Sequence, residues 1–529
     1  MSPLEHGETF VTDDGAETDL DLGNYERYLG ITLTRDNNIT TGKIYSHVIE
    51  KERRGDYLGR TVQIVPHIVN AIVDWVERAG RVPVDETGQE PDVCIIELGG
   101  TVGDIESMPF VEAMTQLRAR AGRDNFMQIH VSYVPSVHGE QKTKPTQMAI
   151  RTIRSAGLFP DSIAIRAEKP LEPAIIEKIS RFCAVSPENC LNVYDLPSTY
   201  QVPIHLESQG LVEILKSTLR LGDISIPPAM TSKGAKIWHT WKSLAMERPV
   251  DDVEIVMVGK YLSQPDAYLS VEKSLEHSAM KCKRKLRLIR VDAEELEAEM
   301  QRKNPANTRG FGQRGCEGMI AAARWAREQK VPYLGICLGM QIAVIEAARS
   351  LAGFDNIIGN SEEFDASSDD RIVISMPEHH TGKMGGTMRL GLRPTYFQPG
   401  TDWSRLKALY AATAGDANIS AINERHRHRY EVNPKYTDVL EKVGFSFIGK
   451  DDTSMRNEII EIREHPWFVG VQYHPEYRSK VLSPSRPFLG FVAASAGVLD
   501  EITRELEREA HAEGVNGTTV NGENGKAAF

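Results

Sequence analysis

Short apolar runs recur along the first part of the chain, each followed by residues with helical spacing. Residues 93–96 (VCII) are continuously apolar and end in Glu97, Gly99 and Gly100. Such a run reads as a parallel strand buried on both faces. Residues 128–134, 162–166 (SIAIR) and 190–194 continue the series. Between them, spacing of three and four predicts helices over 67–78, 171–182 and 210–219. Alternating strands and helices imply a doubly wound parallel sheet. Residues 226–250 carry Pro227, Pro228, Gly234 and Pro249 with little alternation, so a linker with a short helix over 238–246 is expected. A second α/β unit opens with VEIVMVGKY at Val253. It later holds a strand pair, FSFIGKDD and NEIIEIREHPWF, and an apolar strand over 468–473. The last helix should end near Arg508. The tail beyond it is rich in Gly and Asn and is predicted to be disordered.

A chain of 529 residues is too long for one core. The expected division is 1–228, a linker over 229–251, 252–500, and a helix end with tail over 501–529. Cys94, Cys183, Cys190, Cys282, Cys316 and Cys337 lack paired spacing, which suits a reducing cytoplasm rather than a disulfide framework or zinc site. No apolar run approaches a membrane span and no secretory signal opens the chain, so a cytoplasmic protein without a membrane partner is expected. A net charge of −12 argues against nucleic-acid binding. A polyanionic ligand would need a local cluster of Lys, Arg or Mg²⁺.

The densest chemical signal is VPYLGICLGMQ, residues 331–341. An apolar strand meets a helical pattern at Cys337, with Gly335 and Gly339 two residues to either side. This is the logic of a nucleophile elbow with sulfur in place of a hydroxyl. A helix N-terminus offers unpaired N–H groups and the positive end of the dipole, both of which favour a thiolate. A buried structural cysteine is the alternative this stretch leaves open. A cysteine nucleophile needs a base, and the base an orienting group. His474 follows the strand over 468–473, and Glu476 lies two residues on, where an extended chain points both the same way.

Other candidates lie earlier in the chain. Asp13, Asp14, Glu17, Asp19 and Asp21 form an acidic run, either a solvated loop or part of a Mg²⁺ site. Glu97 stands at the carboxyl end of an expected strand, where ligands of open α/β sheets bind. Asp104 and Glu106 follow on the next loop. Lys142 and Lys144 alternate with Thr143 ahead of Pro145, either a triphosphate site or an exposed basic loop.

GICLGMQ with YHPEY resembles the class I glutamine amidotransferases. EHGETFVTDDGAETDLDLGNYERYLG, NNITTGKIYSHVIEKERRGDYLG, ELGGTVGDIES, KTKPTQ, VGKYLSQPDAY, GGTMRLG and RHRHRYEVN extend the likeness to the CTP synthases across residues 3–495. The resemblance implies an N-terminal doubly wound parallel-sheet synthase (amidoligase) domain and a C-terminal α/β class I glutamine amidotransferase domain. It implies that glutamine is hydrolysed at Cys337, His474 and Glu476, that ATP phosphorylates O4 of UTP, and that ammonia displaces the phosphate to give CTP. Gly310, Leu338, Gly339, Met340, Gln341, Glu363 and Arg429 match glutamine-binding positions. Glu363 suits an α-ammonium and Arg429 an α-carboxylate. Asp104, Ile105, Glu106, Lys142, Thr143, Lys144, Pro145, Thr146, Gln147 and Lys178 match pyrimidine-nucleotide positions, and Asp195 lies where the family meets adenine. Asp21 and Glu97 match Mg²⁺ ligands. GTP as activator, CTP as inhibitor, a homotetramer and filaments are also implied, with GGTMRLG a candidate GTP region.

The chain departs from the family pattern twice. The family opens with a strand and a glycine-rich phosphate loop, whereas this sequence begins at MSPLEHG. The family also has an apolar strand before the oxyanion glycine, whereas here QRKNPANT runs directly into Arg309 and Gly310. Both breaks fall at element boundaries between intact motifs, which reads as omission of discrete segments. For the chain as it stands, the expectation is no CTP formation from UTP and ammonia, and weak glutamine hydrolysis. A structural or regulatory subunit, or a glutaminase alone, is the alternative.

Overall fold

The computed structural model describes residues 6–297, 315–354, 359–364, 371–376 and 388–517, without the side chains of 513–517. The expected disordered tail therefore lies outside the described residues, as do Gly310 and the start of GGTMRLG. The chain divides into two compact units, Asp36–Glu247 on one hand and Met1–Arg35 with Arg248–Phe529 on the other. Residues 6–35, expected with the synthase domain, group with the C-terminal part of the chain.

In the unit Asp36–Glu247, the strands Ile129–Tyr133, Ser162–Ala167 and Cys190–Tyr194 form a parallel sheet in that order. Ile163, Ile165 and Cys190 pack with Ile150 of the helix Lys144–Ser155 and Ile179 of the helix Pro173–Cys183. A second core joins the helices Thr41–Arg54, Val69–Ala79 and Met108–Ala121 through Ile44, Val48, Ile72, Val111 and Met114.

Two expectations fail here. Residues 93–96 form no strand, and Ile95 is 78% exposed. An apolar run becomes a strand only where a neighbour satisfies its backbone groups. Among the described residues no strand pairs with 93–96, and Ile129–Tyr133 is paired only on its Ser162–Ala167 side. The expected linker is largely a helix, Pro228–Met246. Pro228 sits in its first turn, where proline sacrifices no hydrogen bond, and so starts the helix instead of breaking the chain.

In the other unit, the main sheet has six strands in the order Tyr333–Ile336, Phe468–Val471, Asn457–Glu461, Ser446–Lys450, Arg389–Phe397 and Ala421–His428. Only the first pairing is parallel; the others are antiparallel. Asp251–Gly259 and Arg284–Asp292 form a separate parallel pair. Val469, Val471, Ile459, Trp467 and Phe488 sit in one core, and Met340, Ile342, Ile345 and Phe468 in another. The last helix, Leu499–Gly517, continues beyond Arg508.

The N-terminal segment is part of this unit. Phe10–Val11 pairs antiparallel with Glu17–Thr18, and Asp19 caps the helix Leu20–Leu29. The hairpin lies on the strand Arg389–Phe397, where Leu392 N donates to Asp13 O at 2.9 Å. Gly391 permits that approach: it has φ of 83°, and a Cβ there would meet Asp13 O and Gly15 N at 2.7 Å. The acidic run is not simply solvated. Asp14 pairs with Arg35, Asp13 with Arg425 and Glu17 with Arg427.

Candidate functional site

The strand Tyr333–Ile336 delivers Cys337 to the first turn of the helix Leu338–Ser350. Cys337 has φ 50° and ψ −101°, a conformation rare for a residue with a side chain. Two contacts maintain it. Cys337 N donates to Val471 O at 2.7 Å, continuing the parallel ladder, and Tyr333 Oη donates to Gly339 O at 2.8 Å. The two elbow glycines are not equivalent. A Cβ on Gly335 would lie 2.7 Å from the carbonyl of Gly339, whereas a Cβ on Gly339 would meet only Tyr333 Oη at 3.9 Å.

Parallel pairing of Ile336 with Val471 puts Cys337 beside the segment that leaves the neighbouring strand. His474 Nδ1 donates to Glu476 Oε1 at 2.7 Å. His474 Nε2 is buried without another hydrogen-bond partner among the described residues, and the Cys337 thiol interacts with the imidazole. Burial pulls the imidazole pKa down, but the charges of Glu476 and Cys337 outweigh it and hold His474 above its ordinary range. The Tyr477 ring stacks on the imidazole at 5.2 Å with an interplanar angle of 18°. Glu476 is 3% exposed, and its carbonyl accepts from Ser274 Oγ at 3.4 Å.

Sequence patterning missed Gln472. Its Nε2 donates to Cys337 Sγ at 3.6 Å, and its Oε1 accepts from Gln341 Nε2 at 3.2 Å. The available signal was its position two residues before His474, on the same face of the strand. Gln341 also donates to Tyr430 O at 3.0 Å, so it braces the site from inside the helix. Met340 is buried in the core beneath the elbow.

Glu363 and Arg429 interact electrostatically. Burial raises the Glu363 carboxyl above its usual pKa, and Lys260 and Arg429 oppose that rise. One carboxylate interacting with two cations suits a zwitterionic amino acid. Gly310, the remaining expected member, lies outside the described residues.

The unit Asp36–Glu247 carries the other expected residues. A cavity of about 400 Å³ is lined by Thr40, Thr41, Glu97, Asp104, Glu106 and Phe110, among others. It unites the three expected carboxylates and adds Thr40 and Thr41 at a helix start, which patterning did not select. Ile105 is 83% exposed. Lys142 and Lys178 both lower the Glu140 carboxyl, so the two lysines flank one point. Thr143, Thr146 and Gln147 are buried. Thr146 Oγ1 accepts from Ser132 at 2.9 Å, and Gln147 Nε2 donates to Thr143 at 3.0 Å. They build the start of the helix that presents Lys144 and Pro145 on its exposed side. Asp195 pairs with Arg166 at 2.9 Å. Asp21 belongs to the other unit, where burial, Asp19 and Asp266 raise its carboxyl pKa. No helix among the described residues is long and apolar enough to cross a membrane.

Comparison with known proteins finds two family matches, the first of which includes residues 6–35 that pack with the other unit. Residues 1–221 match the family model described as CTP synthase N-terminus, and residues 264–494 match glutamine amidotransferase class-I. CTP synthase of Neurospora crassa is 59% identical over 96% of this chain and 90% of its own length. That of Schizosaccharomyces pombe is 57% identical over 96% and 86%, and CTP synthase 1 of Saccharomyces cerevisiae is 55% identical over 95% and 89%. A solved glutaminase domain of Trypanosoma brucei CTPS with bound acivicin is 36% identical over 46% of this chain and 94% of its own, with a TM-score of 0.39.

Proposed function

The chain belongs to the CTP synthases, and we propose that Cys337, His474 and Glu476 are the groups with which it hydrolyses glutamine. As a member of that family it is a glutamine-hydrolysing ligase that uses ATP, UTP and glutamine, and it aminates UTP to CTP, in place of the inactive, structural or glutaminase-only chain that the two departures led one to expect. The observation that carries the assignment of the triad is the His474–Glu476 hydrogen bond beside the strained elbow cysteine.

His474 Nε2 holds the proton of Cys337 Sγ, and the sulfur attacks the carboxamide carbon of glutamine. The oxyanion that forms meets the Leu338 N–H at the helix start, with Gly310 proposed as second donor. His474 returns the proton to the leaving nitrogen, so ammonia departs and a thioester remains. Water, deprotonated by the same imidazole, cleaves the thioester to glutamate and restores the thiol. Glu363 faces the substrate's α-ammonium and Arg429 its α-carboxylate. Gly339, Met340 and Gln341 shape the floor. Glutamate release by the full chain tests the assignment: Cys337→Ala should abolish it, and turnover that survives would refute the elbow as nucleophile.

For the synthase half, the carboxylates Glu97, Asp104 and Glu106 around one cavity support a nucleotide site. Lys142, Lys144 and Lys178 are proposed as phosphate partners and Asp195 as the residue near adenine. Glu97 and Asp21 each offer the hard oxygen donors that Mg²⁺ requires. Bound Mg²⁺ would neutralise phosphate charge there. Activation by GTP, a homotetramer with filaments, and a cytoplasmic location complete the proposal. Six free cysteines, without a disulfide, favour the last.

A further inference from the structure

We propose that Arg425 and Glu26 are positioning residues for the catalytic histidine, through which the N-terminal segment sets the geometry of glutamine hydrolysis. The inference rests on the assignment of Cys337, His474 and Glu476 above.

Arg425 lies on the strand Ala421–His428 and is 2% exposed. Its side chain faces the N-terminal segment. Nη1 and Nη2 donate to the two oxygens of Glu26 at 2.8 and 3.1 Å, a bidentate fork, and Nε donates to Asp13. Its main chain faces the active site, because Arg425 O accepts from His474 N at 2.8 Å. A single residue therefore holds residues 13 and 26 with its guanidinium and the catalytic histidine with its carbonyl.

A second tether runs in parallel. Tyr477, whose ring stacks on His474, donates from Oη to Thr9 O at 2.9 Å. Phe10 packs edge-on against the same ring at 5.3 Å. Arg425 Nη1 also donates to Tyr477 O at 3.3 Å, which joins the two tethers. Glu26 is itself fixed, since it is 3% exposed and its Oε1 accepts from Leu33 N at 2.8 Å. Lys480 feels the charges of Glu26 and Asp13 as well as those of Arg425 and Arg478, and it donates to Gly30 O at 2.8 Å, which adds a further tie to the N-terminal segment.

The value of such a buried pair is geometric more than energetic. Replacing a buried ion pair wholesale is often neutral, whereas a small displacement of a reacting group is costly in rate. The imidazole must point Nε2 at the thiol while Nδ1 keeps Glu476. Its backbone anchor and its stacking partner are held by residues 399 and 468 positions away from them in sequence.

The test is glutamine hydrolysis by the full chain carrying Glu26→Gln or Arg425→Lys, read as glutamate release with thermal unfolding of the same samples. Each variant is expected to lower kcat by about ten-fold while KM for glutamine stays within about two-fold, as suits a displaced base and an intact substrate pocket. A folded variant with kcat at the parent level, whatever its Tm, overturns the proposal. So does a rise in KM with kcat unchanged. If neither variant folds, Tyr477→Phe carries the test. It removes only the Oη tether to Thr9 and should lower kcat by a few-fold with KM unchanged, and an unaltered kcat again overturns the idea. Parent turnover that persists in Cys337→Ala would instead sink the triad on which the proposal rests.

Discussion

Glu476 Oε1 accepts a hydrogen bond from His474 Nδ1 at 2.7 Å, and this contact decides which ring nitrogen can act on the thiol. With the proton of Nδ1 committed to the carboxylate, Nε2 is the base. In Glu476→Gln the amide group can donate to Nδ1 and reverse the tautomer. Glutamate release should fall by about 100-fold or more, with little change in KM. A loss below about ten-fold would mean that the carboxylate does not set the tautomer.

His474 also predicts a pH dependence of stability. Burial lowers its pKa, but Glu476 and Cys337 raise it from 6.5 to about 10. The folded chain keeps a proton that the unfolded chain releases earlier. That contribution is complete below about pH 6.5 and is lost as pH rises toward 10. The Tm difference between the parent and His474→Gln should therefore shrink between about pH 6 and about pH 10. A difference that grows over this range contradicts the sign.

Gly335→Ala tests the elbow. The new methyl would lie 2.7 Å from backbone atoms of Gly339, which have no rotamer into which to withdraw. Overpacking of this kind costs about 1–3 kcal/mol, and it should also shift the helix start that carries Cys337. Denaturant unfolding and glutamate release are both expected to suffer. Gly339→Ala, with open space at its Cβ, should fold at near-parent stability.

Glu363→Gln should act on substrate binding. Loss of a charge-assisted partner for the α-ammonium is expected to raise KM for glutamine by about ten- to a hundred-fold, with a smaller change in kcat. Initial-rate kinetics measure the split. An effect confined to kcat would remove Glu363 from the substrate pocket.

Glu97→Gln should weaken Mg²⁺-dependent nucleotide binding, because the substitution removes a hard anionic donor from the cavity it shares with Asp104 and Glu106. Titration calorimetry with UTP, with and without Mg²⁺, would show the parent gaining affinity from the metal and the variant gaining less. Equal gains in the two proteins would exclude Glu97 as a ligand.

Much of this chemistry was legible in the chain. Cys337 between Gly335 and Gly339, and His474 two residues before Glu476, are local patterns, and local patterns survive in one dimension. Gln472 was within reach of the same argument, lying one strand repeat before His474. Arg425 was not. Its partners, Asp13 and Glu26, lie far away in sequence, and a run of alternating Arg and His announces neither a partner nor a direction.

What the sequence determined by itself was composition, the type of most elements and the two ends of the proposed nucleophilic site, because each depends on neighbours a few residues apart. The tertiary structure decided what depends on pairing across the chain. It left residues 93–96 without a strand, because no described neighbour supplies a ladder. It also made the N-terminal segment part of the unit that holds the triad. Backbone groups and buried charges must find partners wherever the fold brings them, and periodicity along the chain carries no record of where that is.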